Sequence, residues 1–460
     1  MLYESLRPVV GVALHWYYRS LSLANTERIP RTGPVFLAAN HPNSLTDAMV
    51  VGWSSPRRVR FTAKATLFAN PLAARFLHSV GVVPLRRAAD EQARATAEGA
   101  STGGAVPDAA RNQASFAAVA DALAEDACIV VFPEGKTHDE PYMAPIRTGL
   151  ARMALMARDE RGVRGIRIVP VGLLFERKEE PRSRILLQVG DPIDVDAIVS
   201  GPSAVATLTE LVEQRLRSVT LNFDSRADAE RIRLLGETLV ALVEPAASVD
   251  DGAPPLARVL ATVRRIERAY AVLRARGDAE LSARIDAFEQ RLRAFRDRLA
   301  QERIDVHDLG IDLSTTLGAR FVVREALVAL VMLPVSIWGH VTHGLPLRLT
   351  RRLALRNVQA LDEPPMRTFI VGLVLVLATY VAMTSAVGLL FGPWWALAFF
   401  ATLIPSASSD LRYSDRVRRA RARARAYRRF RADHALHAEL RAEGEWIRME
   451  AGAMERAVFE

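Results

Sequence analysis

The chain has 460 residues, half of them apolar, and a net charge of +9 carried almost entirely by arginine. That length exceeds one compact core and predicts two or more units, while the apolar share excludes a disordered chain. The single cysteine, Cys128, excludes a disulfide framework, and the basic balance favours an anionic partner: nucleic acid, a phosphorylated substrate or an anionic membrane face.

Residues 1–24 mix aromatic, apolar and basic groups around His15, Trp16, Tyr17, Tyr18 and Arg19. They predict a helix lying on a membrane surface, with a core-packing helix as the equal alternative. Glu4 and Arg7 come early and no small-residue cleavage site follows, so a signal-peptide layout is not expected.

Residues 34–200 alternate between strand and helix patterns. Strands are expected at Pro34–Ala39, Val59–Ala63, Val80–Leu85, Ala127–Phe132, Ile166–Leu174 and Arg184–Val189, and helices near 45–53, 70–79, 112–124 and 146–158. Such alternation predicts an α/β unit, a mixed sheet flanked by helices, over 25–205. The Gly/Ala/Ser-rich stretch 95–112 reads as a surface loop.

Residues 206–310 are charged and helical in period, with Gly277–Asp278 marking the turn of an αα-hairpin and the charge forming a solvated face. Residues 311–408 change character. The stretch 368–391 runs 24 residues without a charge, enough to cross a bilayer, and 389–405 adds 17 for a short return span. The run 326–347 is broken by Pro334, Gly344 and Pro346, so it is expected to span, re-enter or lie on the surface. Arginine flanks both ends of the 368–405 hairpin, and residues 409–460 form an Arg-rich tail with ten arginines between Arg412 and Arg431. The positive-inside rule puts those flanks in the cytoplasm, with the tail on anionic headgroups rather than on nucleic acid.

Four polar clusters follow apolar strands. Asn40-His41 is followed by Asp47 after five intervening residues. An imidazole acts as a general base, and a carboxylate orients it. The same Asp47 stands at capping-box spacing from Ser44. No third ligand lies at a metal-site spacing, so no metal is expected. Next comes "GVVPLRR", which delivers Arg86 and Arg87 at a strand end, where guanidinium matches phosphate. The third cluster is "FPEGKTHDE", in which Gly135 permits an unusual turn among Glu134, Lys136, Thr137, His138 and Asp139. The fourth is "IVPVGLLF", where the central Pro170 predicts an edge strand or bulge at the rim of a cleft.

In that order, these blocks resemble the glycerolipid acyltransferase superfamily over roughly residues 20–200. The longer His-to-Asp spacing and the His138-Asp139 pair resemble the branch with fungal glycerol-3-phosphate/dihydroxyacetone-phosphate acyltransferases and their bacterial relatives. The fold this implies is an α/β acyltransferase domain, then an α-helical region and a C-terminal helical membrane hairpin. The resemblance implies His41 as general base, Asp47 as its orienter, and Arg87, Glu134, Gly135, Lys136 and His138 around the acceptor phosphate. Asn40 and Pro170 are implied on the acyl side of the cleft. The family's third-block arginine is replaced by Thr137, which leaves Lys136, His138 or Arg147 to take its part. Lys64 is a further cation between the first two blocks.

The implied reaction moves a fatty acyl group from acyl-CoA or acyl carrier protein to glycerol-3-phosphate or dihydroxyacetone phosphate, without a cofactor, at the cytoplasmic face of the inner membrane among membrane lipids. A lysophospholipid acyltransferase using 1-acylglycerol-3-phosphate is the alternative within enzymes. A non-catalytic membrane organiser is the alternative of another class.

Overall fold

The computed structural model describes residues 2–85, 108–138, 140–223, 225–243, 256–276, 279–356, 358 and 363–459. Arg86, Arg87, Asp139 and the Gly277–Asp278 turn lie outside them, as does most of the 95–112 loop; residues 108–112 open a helix instead. The chain divides into two units, residues 1–224 with 357–366, and residues 225–356 with 367–460.

The first unit is built on one eight-stranded sheet. Its strands are β1 (Ser20–Ala24), β2 (Val35–Ala39), β3 (Val59–Lys64), β4 (Val83–Leu85), β5 (Cys128–Val131), β6 (Arg167–Phe175), β7 (Arg184–Val189) and β8 (Ile193–Asp194). The order is β1-β7-β6-β2-β5-β3-β4, with β8 paired to β6. β2, β3, β4, β5 and β6 run in one direction, and among the described residues only the pairs of β6 with β7 and with β8 are antiparallel. β2 lies at the centre, and each of its residues is buried. That is why its sequence is an unbroken apolar run rather than an alternating one.

Helices cover the sheet: α1 (Leu2–Tyr17), α2 (Leu45–Ser54), α3 (Pro71–Ser79), α4 (Asp108–Ala124), α5 (Gly149–Asp159) and α6 (Ala204–Arg217). Phe36, Ile129, Ile168, Leu123, Leu150, Met153, Leu208, Val212 and Val219 share one core. Each such side chain contributes roughly 1.5–3 kcal/mol of burial. α6 and Val219 therefore complete the sheet unit, which ends near residue 224 instead of 205.

Two expectations are corrected here. Residues 1–24 are not one surface helix. Residues 20–24 form β1, and α1 docks on α2 through Tyr3 Oη to the Gly52 carbonyl (3.1 Å) and Arg7 Nη2 to the carbonyls of Trp53 (3.0 Å) and Ser55 (2.6 Å). Pro170 does not mark an edge strand either, because β6 is flanked on both sides. Its carbonyl accepts from Gly190 N (2.8 Å), so its nitrogen faces the same side, where β7 has ended at Val189 and β8 begins at Ile193. The missing N–H falls in a gap between two partners, which removes the usual objection to a central proline.

The second unit is helical: α7 (Arg226–Val243), α8 (Leu256–Arg276), α9 (Ala279–Glu302), α10 (Thr315–Ala354), α11 (Glu363–Phe391, from Arg367), α12 (Pro393–Ala432) and α13 (His434–Phe459). Ile285, Phe288, Leu292, Phe295 and Leu299 recur at three- and four-residue spacing along α9, giving it one apolar face. Leu436, Leu440, Ile447 and Met454 of α13 share that core. The stretch expected as a cytoplasmic tail, 409–460, is thus the end of α12 followed by a helix that closes a core begun more than a hundred residues earlier. Several of its arginines are paired, Arg416 with Glu325 and Arg429 with Glu302, both at 2.7 Å.

α10 is one continuous helix through Pro334, Gly344 and Pro346, not a broken segment. Among the described residues, α10 and α11 are long and apolar enough to cross a membrane, and only 11% and 6% of their most apolar stretches are buried. Helices left so uncovered are not the core helices of a water-soluble bundle, and they associate the chain with a membrane.

Candidate active site

Parallel strands deliver their C-terminal ends to one edge of a sheet, where open α/β folds bind ligands. Here that edge receives Asn40 and His41 after β2, Pro133 to His138 after β5, and Lys64 at the end of β3. Leu85 pairs with Lys64 at the same level, and the sequence continues into Arg86 and Arg87, outside the described residues.

The turn between β2 and α2 is tethered residue by residue. The Asn40 side chain extends the strand ladder sideways, its Nδ2 donating to the Leu173 carbonyl (3.0 Å) and its Oδ1 accepting from Leu173 N (2.7 Å). Asn40 therefore anchors the turn to β6. His41 N donates to Glu134 Oε1 (2.8 Å). Asn43 N donates to Asp47 Oδ2 (2.7 Å), and Ser44 follows at φ 47°, ψ −124°. A non-glycine residue at that positive φ is strained, and such strain persists only where its surroundings over-determine it.

The geometry brings His41 and Asp47 together, with Nδ1 and Oδ2 2.9 Å apart. A carboxylate only accepts, so Nδ1 carries the hydrogen and Nε2 keeps its lone pair. The imidazole stacks on Phe132 with centroids 4.0 Å apart and planes at 17°. His41 keeps 20% of its side chain exposed, whereas Asp47 is fully buried, so only the histidine is open to a substrate. Burial pushes the Asp47 carboxyl above the ordinary carboxylate range; the hydrogen bond and charge of His41, the Asn43 amide and the charge of Lys178 pull it back. One oxygen, Oδ2, serves both His41 and the turn amide, so the two roles are not divided between the two oxygens. Oδ1 is buried with no hydrogen-bond partner among the described residues.

The third block lies against the His41 turn. Glu134 is buried, and its carboxylate accepts from His41 N, Ala144 N (2.8 Å) and His138 Nε2 (2.6 Å). Through these contacts Glu134 ties the His41 turn to the segment around Ala144. His138 Nδ1 accepts from Glu140 N (3.3 Å), so both ring nitrogens are engaged within the turn. Gly135 sits at φ 74°, and a Cβ there would lie 2.8 Å from Arg147 Nε. Glycine is thus what allows the Arg147 guanidinium to lie over this turn. Lys136 is exposed beside it. Pro170 is buried in the sheet, three residues before the Leu173 that anchors Asn40.

Sequence reasoning missed two residues at this site. Tyr18 lies behind Asn43, which donates to its hydroxyl (3.2 Å), and burial pushes the phenol well above its ordinary range. Lys178, from the loop after β6, donates to the Pro42 carbonyl of the same turn (3.1 Å). Neither stands in a recognisable motif. Phe132 was visible as the first letter of the third block, though not as the platform under His41.

Residues 20–174 match the family model described as Acyltransferase. The chain is 36% identical over 117 residues to glycerol-3-phosphate O-acyltransferase 2 of Saccharomyces cerevisiae, covering 24% of this chain and 16% of that one. It is 33% identical over 107 residues to glycerol-3-phosphate O-acyltransferase 1 of the same yeast, covering 22% and 14%. The chain therefore spans less than a fifth of either relative's length. Among solved structures it is similar to the 1-acyl-sn-glycerophosphate (LPA) acyltransferase from Thermotoga maritima, at 19% identity and TM-score 0.34, covering 47% of this chain and 78% of that one.

Proposed function

We propose that this chain, whose residues 20–174 match the Acyltransferase family model, moves a fatty acyl group from acyl-CoA or acyl carrier protein to a hydroxyl of a glycerol phosphate, glycerol-3-phosphate first and dihydroxyacetone phosphate second. The observation that carries this reading is the His41–Asp47 pair at 2.9 Å, with the histidine side chain partly exposed and the aspartate buried behind it. The names of the two yeast relatives support the choice of acceptor.

The acceptor hydroxyl gives its proton to His41 Nε2 as its oxygen attacks the thioester carbonyl. Asp47 holds the ring in the tautomer that leaves Nε2 basic and faces the imidazolium that forms. When the tetrahedral species collapses, the C–S bond breaks and the imidazolium returns the proton to the departing thiolate. The ester and the free thiol are the products, and atoms balance without a covalent enzyme intermediate. Arg87, Lys136 and Arg147 are the cations we assign to the acceptor phosphate, since guanidinium and ammonium groups match its oxygens. The α10 and α11 helices serve a reaction whose acyl donor and product both partition into a bilayer. We assign both ends of the apolar hairpin to the cytoplasmic side, a reading that its flanking arginines support.

The test is acyl transfer by the full chain in membranes, with labelled acyl-CoA and a panel of glycerol-3-phosphate, dihydroxyacetone phosphate and 1-acylglycerol-3-phosphate. Labelled monoacylated product from the first acceptor is expected. Exclusive use of 1-acylglycerol-3-phosphate replaces the acceptor, and transfer to none of them removes the reading.

A further inference from the structure

The loop between β6 and β7 lies in a run of mixed charge, "ERKEEPRSR", that no motif distinguishes. One of its side chains reaches into the site. Lys178 Nζ donates to the Pro42 carbonyl (3.1 Å) and to the His138 carbonyl (3.4 Å). The first carbonyl belongs to the turn that presents His41, the second to the turn that holds Glu134. The Lys178 carbonyl in turn accepts from Asn43 Nδ2 (3.4 Å). The His41 turn is therefore held by Glu134 at the His41 amide and by Lys178 at the Pro42 carbonyl.

We propose that Lys178 is a positioning residue for acyl transfer, clamping the His41 turn to the His138 turn and presenting a positive charge to the buried Asp47–His41 pair. This rests on the reading of His41 as the general base.

Three titratable groups from separate elements face Asp47: His41 from its own turn, Lys178 from the β6–β7 loop and Tyr18 from the segment before β1. The Tyr18 phenol is held neutral by burial, so it brings no positive charge. Asp47 Oδ1 is buried without a hydrogen-bond donor among the described residues. Stabilisation of that oxygen must act through space, which is what an ammonium beside the turn supplies. Loss of the ammonium disfavours ionised Asp47, so any limb of the pH profile that follows Asp47 moves to higher pH. Loss of the two carbonyl contacts frees the turn, and a misplacement of about 1 Å at a reacting group costs on the order of a hundredfold in rate.

The experiment compares wild type, Lys178→Met, Lys178→Arg and His41→Ala as full chains in membranes, reading kcat, acceptor KM, the pH profile and thermal stability. Lys178→Met is expected to lower kcat about ten- to a hundredfold, to leave acceptor KM within about threefold, and to shift the acid limb to higher pH. Lys178→Arg keeps a charge and is expected to restore the acid limb and part of kcat. A rise in acceptor KM at unchanged kcat makes Lys178 a substrate contact and overturns the proposal. So does a loss of activity that follows the loss of folded protein while the acid limb stays put. If Lys178→Met is too unstable to assay, Lys178→Arg decides: lowered kcat with an unmoved acid limb supports the clamp, and wild-type kcat overturns it. Full activity in His41→Ala removes the reading underneath, whereas an inactive His41→Ala beside an unaffected Lys178→Met removes this proposal alone.

Discussion

The two units use charge in opposite ways. In the sheet unit a few charged side chains are buried and aimed at backbone. Glu134 takes the amides of His41 and Ala144, and Asp47 takes that of Asn43. In the helical unit arginine is abundant, and much of it is paired on exposed faces. Arg284, Arg291 and Arg298 of α9 meet Glu450, Glu443 and Glu439 of α13, and every arginine in that ladder is at least 43% exposed. Density of charge therefore points away from the chemistry. A charge signals function when it is desolvated and its partners are fixed, because only then does its protonation respond to its surroundings.

The strongest way to break this contrast is to remove His41, the base we propose. His41→Ala is expected to lower acyl transfer about 10²–10⁴-fold. Stability should fall by no more than about 3 kcal/mol, since Asp47 loses one donor and keeps the Asn43 amide. Parallel assays of rate and thermal melting check this, and a rate loss that only follows unfolding would defeat the assignment.

A second test asks whether the helical unit hides a buried charge of its own. Asp308 does qualify: it is 8% exposed, and burial, with Asp305 beside it, pushes its carboxyl up to about 6. A group whose folded pKa is raised binds its proton more tightly in the folded state. Its contribution is complete below about pH 4 and is lost as pH rises through about 6, up to roughly 3 kcal/mol. Asp308→Asn is expected to flatten the fall in melting temperature between about pH 4 and pH 8 and to stabilise the unit at the alkaline end. Parallel pH curves for wild type and variant would falsify the shift.

Much of the sheet was readable because buried parallel strands are continuous apolar runs closed by turn residues, as in the stretches around Val35–Ala39 and Cys128–Val131. β1 was not. Its sequence SLSLA alternates weakly and follows directly on a helix, so it reads as the helix's own end. Pro170 misled for a different reason: the rule about proline assumes a neighbour on the nitrogen's side, and here that neighbour stops short. His41 and Asp47 were legible as a pair because they stand six residues apart across one strand-to-helix turn. Glu134 stood out in its turn, but its partner is the backbone of His41, 93 residues away, and no spacing announces that. The same limit hid the split helical core. Periodicity shows which face of α9 is apolar, not that α13 covers it from beyond α10, α11 and α12.

The smallest expected effect lies in the α9–α13 ladder, and it separates geometry from mere pairing. Arg298 and Glu439 approach within 2.5 Å, yet their side chains are 43% and 58% exposed. Water screens such a pair, so a double-mutant cycle should give a coupling below about 1 kcal/mol that shrinks further in high salt. Arg291 occupies an equivalent position one step along but also lies over the Trp446 ring, 3.9 Å from its centroid. Stacking on an indole persists in salt and contributes about 0.5–1 kcal/mol at an exposed site. Arg291→Ala should therefore cost more than Arg298→Ala, and the gap should persist as salt is raised. Equal losses at both positions, vanishing together in salt, would mean that exposed charge is the whole of the ladder and that Trp446 adds nothing to it.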